Sequence, residues 1–221
     1  MDKGRIGSER IERRIDSTMK LANSIISHAG EAGEVSNWGT TLDACFIHDK
    51  KAYFGHSGDS IIYHINNQNE TIEQLTRPHN ADYYEFENLN DDEIQAMLNF
   101  QGLENYVGIG ESYFTDTFNI DFNKHDIIVM ATDGISKTLS KKELMNLIID
   151  GMNESLTEKI VQKYIGKEDS LTKKIIDATK NPRDMKLIYE NIRNKGYDID
   201  FDLNKRDNTT FMIIYGGSKW V

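Results

Sequence analysis

The sequence predicts an α+β fold, and three observations carry the prediction. Short runs rich in β-branched and aromatic residues crowd residues 40–75, joined by links too short to hold a helix. A wholly apolar run at 127–131 and a run rich in β-branched and apolar residues at 209–215 add further strands. Helical spacing is concentrated elsewhere, at the N-terminus and from residue 140 to 193. Antiparallel strands set apart from helices make a segregated architecture rather than alternating β-α units. At 221 residues, 38% hydrophobic and 28% charged, the chain is long enough for one domain, 1–221, with a sizeable core.

The elements follow in order. From Ser8 to His28, Ile11, Ile15, Met19, Ala22 and Ile26 recur every three or four residues, with Glu12, Arg13, Asp16 and Lys20 opposite, which is an amphipathic helix. Residues 30–39 form a Gly- and Glu-rich loop. Four strands come next, 40–47, 52–56, 61–65 and 71–75, whose short polar links predict an antiparallel meander. Residues 76–110 are polar and irregular apart from a helix at 91–100, where Ile94, Met97 and Leu98 share a face. The doubly buried strand 127–131 precedes a helix from Ser140 to about Met152, opened by the capping box Ser140-Lys141-Lys142-Glu143. Further helices are expected at 158–164, 171–179 and 182–193, the last with proline in its first turn. The strand 209–215 closes the chain.

Charge and composition exclude several functions. A net charge of −10 with scattered lysines opposes binding to nucleic acid, whose phosphates require basic surface. Cys45 is the one cysteine, so an internal disulfide or thiolate metal cluster is impossible, and its apolar strand predicts an inert buried thiol. No apolar segment approaches membrane-spanning length and the N-terminus is charged, so a cytoplasmic location and no membrane partner are expected.

Three acids stand at strand ends. Asp133 follows the buried run and precedes Gly134; a fixed carboxylate beside a glycine with an open carbonyl suits a cation, although Asp-Gly is also an ordinary turn. Asp59 follows Gly58, and Asp207 precedes Asn208, each equally readable as a polar turn. If antiparallel strands bring them to one edge, their repulsion calls for a hard cation, Mn²⁺, Mg²⁺ or Ca²⁺. Two such ions close together activate water toward a phosphate ester.

Five motifs in order give these acids a context: Gly39-Thr40-Thr41, Gly55-His56-Ser57-Gly58-Asp59-Ser60, Gln74-Leu75-Thr76-Arg77-Pro78-His79, Ala131-Thr132-Asp133-Gly134 and Asp207-Asn208-Thr209-Thr210. Together, over residues 39–217, they resemble the metal-dependent serine/threonine protein phosphatases of the type 2C family in its bacterial form. The resemblance implies a four-layer α-β-β-α sandwich of two antiparallel sheets. It implies hydrolysis of phosphoserine and phosphothreonine on proteins by water activated at two Mn²⁺ or Mg²⁺ ions, with a weaker third. By that likeness Asp133 and Asp207 are ligands of the central pair and Asp59 with Asp133 serves the third, with Gly134 beside them.

The chain also departs from the family. The family's first acidic strand, its phosphate-binding arginine and its Asp-Gly-x-x-Gly loop, whose aspartate bridges the central metals, have no counterpart in these 221 residues, and Ile61 stands where members often carry arginine. Without that bridge two dications repel by several kcal/mol even at an effective dielectric near 20. The sandwich is therefore expected to be incomplete at its N-terminal strands, leaving a sheet edge open to self-association. Three explanations stand together: a clipped gene start, an inactive relative serving as a binding or regulatory module, and completion by a neighbouring chain.

Overall fold

The computed structural model describes residues 7–33, 38–80, 88–98, 101–158, 170–180, 182–197 and 210–216. The helix expected at 158–164 and the lead-in to the last strand lie outside them, apart from Glu158 and Thr210.

Helix α1 (Ser8–Ala32) runs one turn past the expected end. Strands β1 (Leu42–His48) and β2 (Lys51–Ser57) form a hairpin, and β3 (Ile61–Asn66) and β4 (Thr71–Gln74) form a second. These four strands are not one meander, however. The first hairpin joins β5 (Asp116–Asp121) in a sheet ordered β1-β2-β5; the second joins β6 (Asp126–Ala131) and β7 (Phe211–Tyr215) in a sheet ordered β4-β3-β6-β7. Every pairing is antiparallel. The chain changes sheets at Gly58–Ser60, where Gly58 has φ +118°, a backbone conformation that side chains resist.

Two stacked sheets with helices outside give four layers. Ala52 and Phe54 of β2 meet Ile62 of β3 and Ile128 of β6 between the sheets, all fully buried. Alternate residues face outward: Ile61, Tyr63, Ile65, Ile127 and Val129 pack under α4 (Lys141–Glu158) and α5 (Ser170–Thr179) through Leu144, Ile148 and Ile175. This two-sided burial explains why the 127–131 run contains no polar residue. On the other outer face α1 lays Ile15, Met19, Ala22 and Ile26 against the first sheet. It sits so close over β2 that a Cβ on Gly55 would lie 2.4 Å from both Ile15 and Met19.

The capping box is formed as expected: Glu143 N donates to Ser140 Oγ at 3.2 Å and Ser140 N donates to Glu143 Oε2 at 3.2 Å. Helix α2 (Asp91–Leu98) packs on α6 (Arg183–Asn194), which Pro182 precedes, through Ala96, Met97, Met185, Tyr189 and Ile192. Strand β5 was not among the expected elements.

Candidate functional site

Strand register builds the site. Ile61 pairs with Ala131, and Ala131 pairs with Phe211, so the start of β3, the end of β6 and the start of β7 form one row. Asp59 lies two residues before Ile61 and Asp133 two residues after Ala131. Both acids therefore belong to the same rim of the second sheet. Thr132 and Thr210 close that rim: Thr132 N donates to Thr210 O at 3.0 Å, and Thr210 N donates to Thr132 Oγ1 at 3.0 Å. Asp207, Asn208 and Thr209 lie outside the described residues, so Thr210 is the placed member of their motif.

At Asp133 the chain does not make the expected tight turn. It starts a one-turn helix, α3 (Asp133–Ser136), and Lys137 at the next position returns over that turn. The Lys137 Nζ is 2.5 Å from Asp133 Oδ2, with the two side chains 23% and 19% exposed. The Gly134 carbonyl, expected to stand open, accepts a hydrogen bond from Thr138 Oγ1 at 2.7 Å, and Gly134 is buried. The physical reason is that helical backbone at Asp133–Ser136 directs carbonyls along the axis toward residue i+4.

Around Asp59 three of the five motifs meet. Ser60 Oγ donates to Thr41 Oγ1 at 3.1 Å, Gly58 N donates to His79 Nδ1 at 3.2 Å, and His79 N donates to Gly58 O at 2.8 Å. A Cβ on Gly58 would lie 2.4 Å from Thr41 Cγ2. The order of motifs in the sequence is thus the order in which the chain returns to one place.

A buried polar network supports this junction. His56, with no exposed surface, donates from Nδ1 to Asp43 Oδ1 at 2.6 Å and from Nε2 to the Arg77 carbonyl at 3.2 Å. Both ring nitrogens thus face an oxygen acceptor, which fixes the orientation of the buried ring. The His79 ring stands 4.7 Å from it. Its Nδ1 also accepts from Asn105 Nδ2 at 2.8 Å, and its Nε2 donates to Asp116 Oδ2 at 3.0 Å. Burial, with help from the neighbouring His56 and against the pull of Asp116, holds the His79 pKa below its ordinary value. Cys45 is the inert thiol expected: burial pushes its pKa up to about 12.

Sequence reasoning named Asp59, Asp133 and Gly134 but missed Lys137, Asp43, His56 and Asn105 as parts of the site. The Asp133–Lys137 spacing of four carries an ion pair only once the residues between them are helical, and the Asp-Gly pair reads as a turn.

The donors at the rim are oxygens, the type that suits Mn²⁺ or Mg²⁺. Their number among the described residues is short: no three His, Cys, Asp or Glu side chains gather closely enough there to hold a metal ion. The Asp133 oxygen that faces Lys137 is already matched to a cation.

The protein phosphatase 2C family profile matches residues 3–168, three quarters of the chain. The chain belongs to the protein phosphatase 2C family. It is similar to the serine/threonine phosphatase stp of Listeria monocytogenes, 24% identical over 194 residues that span 80% of this chain and 73% of that protein. Among solved structures, serine/threonine phosphatase Stp1 from Staphylococcus aureus shares the fold with a TM-score of 0.64 at 19% identity, over 96% of this chain and 70% of that one. The catalytic domain of the serine/threonine phosphatase PstP, solved with 2 manganese ions, gives a TM-score of 0.58 at 16% identity, over 80% and 67%. These likenesses bear out the resemblance read from the five motifs, and the two antiparallel sheets are those of the family. Among the described residues no helix is long and apolar enough to cross a membrane.

Proposed function

We propose that residues 1–221 form a single phosphatase domain that hydrolyses phosphoserine and phosphothreonine on proteins. Asp133 and Asp207 would hold the central pair of Mn²⁺ or Mg²⁺ ions, and Asp59 with Asp133 a weaker third. The observation that carries the reading is the single row Ile61–Ala131–Phe211, which puts Asp59 and Asp133 on one rim and starts the strand after Asp207 beside them. Three peptide units, about 11 Å of chain at most, separate Asp207 from Thr210. When bound, such ions supply a Lewis acid and lower the pKa of water. The protein's own part is to position the acids: Asp133 in the α3 turn, and Asp59 between Gly58 and Ser60, which are hydrogen-bonded to His79 and Thr41. The family's bridging Asp-Gly-x-x-Gly carboxylate has no counterpart in these 221 residues. Self-association through a sheet edge is proposed, and the cytoplasm is the proposed compartment.

Manganese-dependent cleavage of p-nitrophenyl phosphate tests the reading, with Asp133→Ala abolishing it. A second reading, an inactive phosphatase fold used as a phosphoprotein-binding or regulatory module, is favoured by one observation, the ammonium seated on Asp133. It is selected if no turnover occurs at any Mn²⁺ concentration while phosphopeptide binding survives Asp207→Ala.

A further inference from the structure

We propose that Lys137 is a tethered cation that competes with divalent metal for Asp133, so that this chain takes up metal more weakly than the same rim without the lysine. The inference rests on the reading of Asp133 as a metal ligand.

The geometry is specific. Lys137 lies one helical turn after Asp133, and its Nζ sits 2.5 Å from Oδ2. Its backbone is held at both ends: Lys137 N donates to Asp133 O at 2.8 Å, and its carbonyl accepts from the hydroxyl of the buried Tyr189 at 3.5 Å. The stem therefore starts from a fixed point one turn from Asp133. Both side chains are about one-fifth exposed, so water screens the attraction only in part.

A Mg²⁺ ion approaches a carboxylate oxygen to about 2.1 Å. An ammonium already at hydrogen-bond distance from Oδ2 blocks that approach and adds a like charge beside the incoming ion. Metal binding thus requires Lys137 to swing away. An exposed ion pair contributes little, whereas stripping the cation from a buried carboxylate is costly; for this intermediate case the expected penalty on metal affinity is about tenfold. The same ammonium keeps Asp133 neutralised while metal is absent, which lets the rim form without a counter-ion.

The test is isothermal titration of the whole chain with Mn²⁺ alone, for the wild type, Lys137→Gln, Lys137→Arg, Asp133→Asn and the Asp133→Asn/Lys137→Gln double variant, each checked for folding by circular dichroism. The expected result is about tenfold tighter Mn²⁺ binding by Lys137→Gln, near-wild-type binding by Lys137→Arg, and no gain from Lys137→Gln in the Asp133→Asn background. Equal binding by the wild type and Lys137→Gln, with Asp133→Asn weakening both, overturns the competition and leaves the ligand reading intact. Unchanged binding in Lys137→Gln when Asp133→Asn is added, or no Mn²⁺ binding by any variant, overturns the ligand reading and the competition with it.

Discussion

Gly58→Ala tests whether the crossing between sheets is as tightly built as its contacts indicate. Two costs add. Gly58 has φ +118°, outside the regions a side chain tolerates, and holding alanine there costs about 1–3 kcal/mol. The new Cβ would also lie 2.4 Å from Thr41 Cγ2 and 2.6 Å from Thr41 Cβ. Thr41 is held by Ser60, so it cannot retreat freely, and overpacking of this kind costs about 1–3 kcal/mol. The sum, about 2–6 kcal/mol, is a large part of the 5–15 kcal/mol that stabilises a typical domain. Urea unfolding followed by circular dichroism should show the midpoint falling by about 1–3 M at an m-value near 2 kcal/mol/M. Thr41→Gly removes both close atoms, so the double variant should recover the packing share and leave the backbone share, a coupling of about 1–3 kcal/mol. A loss below about 0.5 kcal/mol in Gly58→Ala, or additive single effects, would refute the account of this turn.

Two further outcomes follow from hydrogen bonds at and behind the rim. His79 accepts at Nδ1 from Gly58 N and Asn105 Nδ2, so protonation there breaks both bonds. Its folded pKa lies below the unfolded value of about 6.5, so its contribution is complete above that pH and is lost as pH falls through the folded pKa. Urea midpoints should fall on acidification below about pH 6, and His79→Gln should flatten that slope; an unchanged slope sinks the assignment. Ser140→Ala removes the cap of α4 and should cost about 0.5–2 kcal/mol in the same unfolding assay, whereas Ser140→Thr should retain most of it.

The parts legible in the sequence were those set by local chemistry. The stripe from Ile11 to Ile26, the capping box at Ser140 and the apolar run at 127–131 each state their structure in a few residues. Asp59 and Asp133 could be singled out as acids beside strand ends, each equally readable as a turn, and it is the register of β3 with β6 that puts them on one rim. Three features were not legible. The passage from β2 to β3 resembles a hairpin link because Gly58-Asp59 suits either a hairpin turn or a crossing. Strand β5 was overlooked although Phe118 and Ile120 alternate with polar neighbours; Asp116, Asn119 and Asp121 are poor strand formers, and pairing with β2 overrides them. Lys137 emerged only with the α3 turn, because one step of helix decides whether its ammonium faces Asp133 or solvent.

The link from β5 to β6 crosses between the sheets in four residues, and that from β2 to β3 in only three, of which Asp59 is the middle one. So short a tie acts as a rivet through the two layers. Any sliding of one sheet over the other is delivered straight to that carboxylate, while motions of the outer helices reach it only through the strands. Events far away on the first sheet, such as a partner docking along β1, therefore have a mechanical route to the rim that runs through the backbone itself.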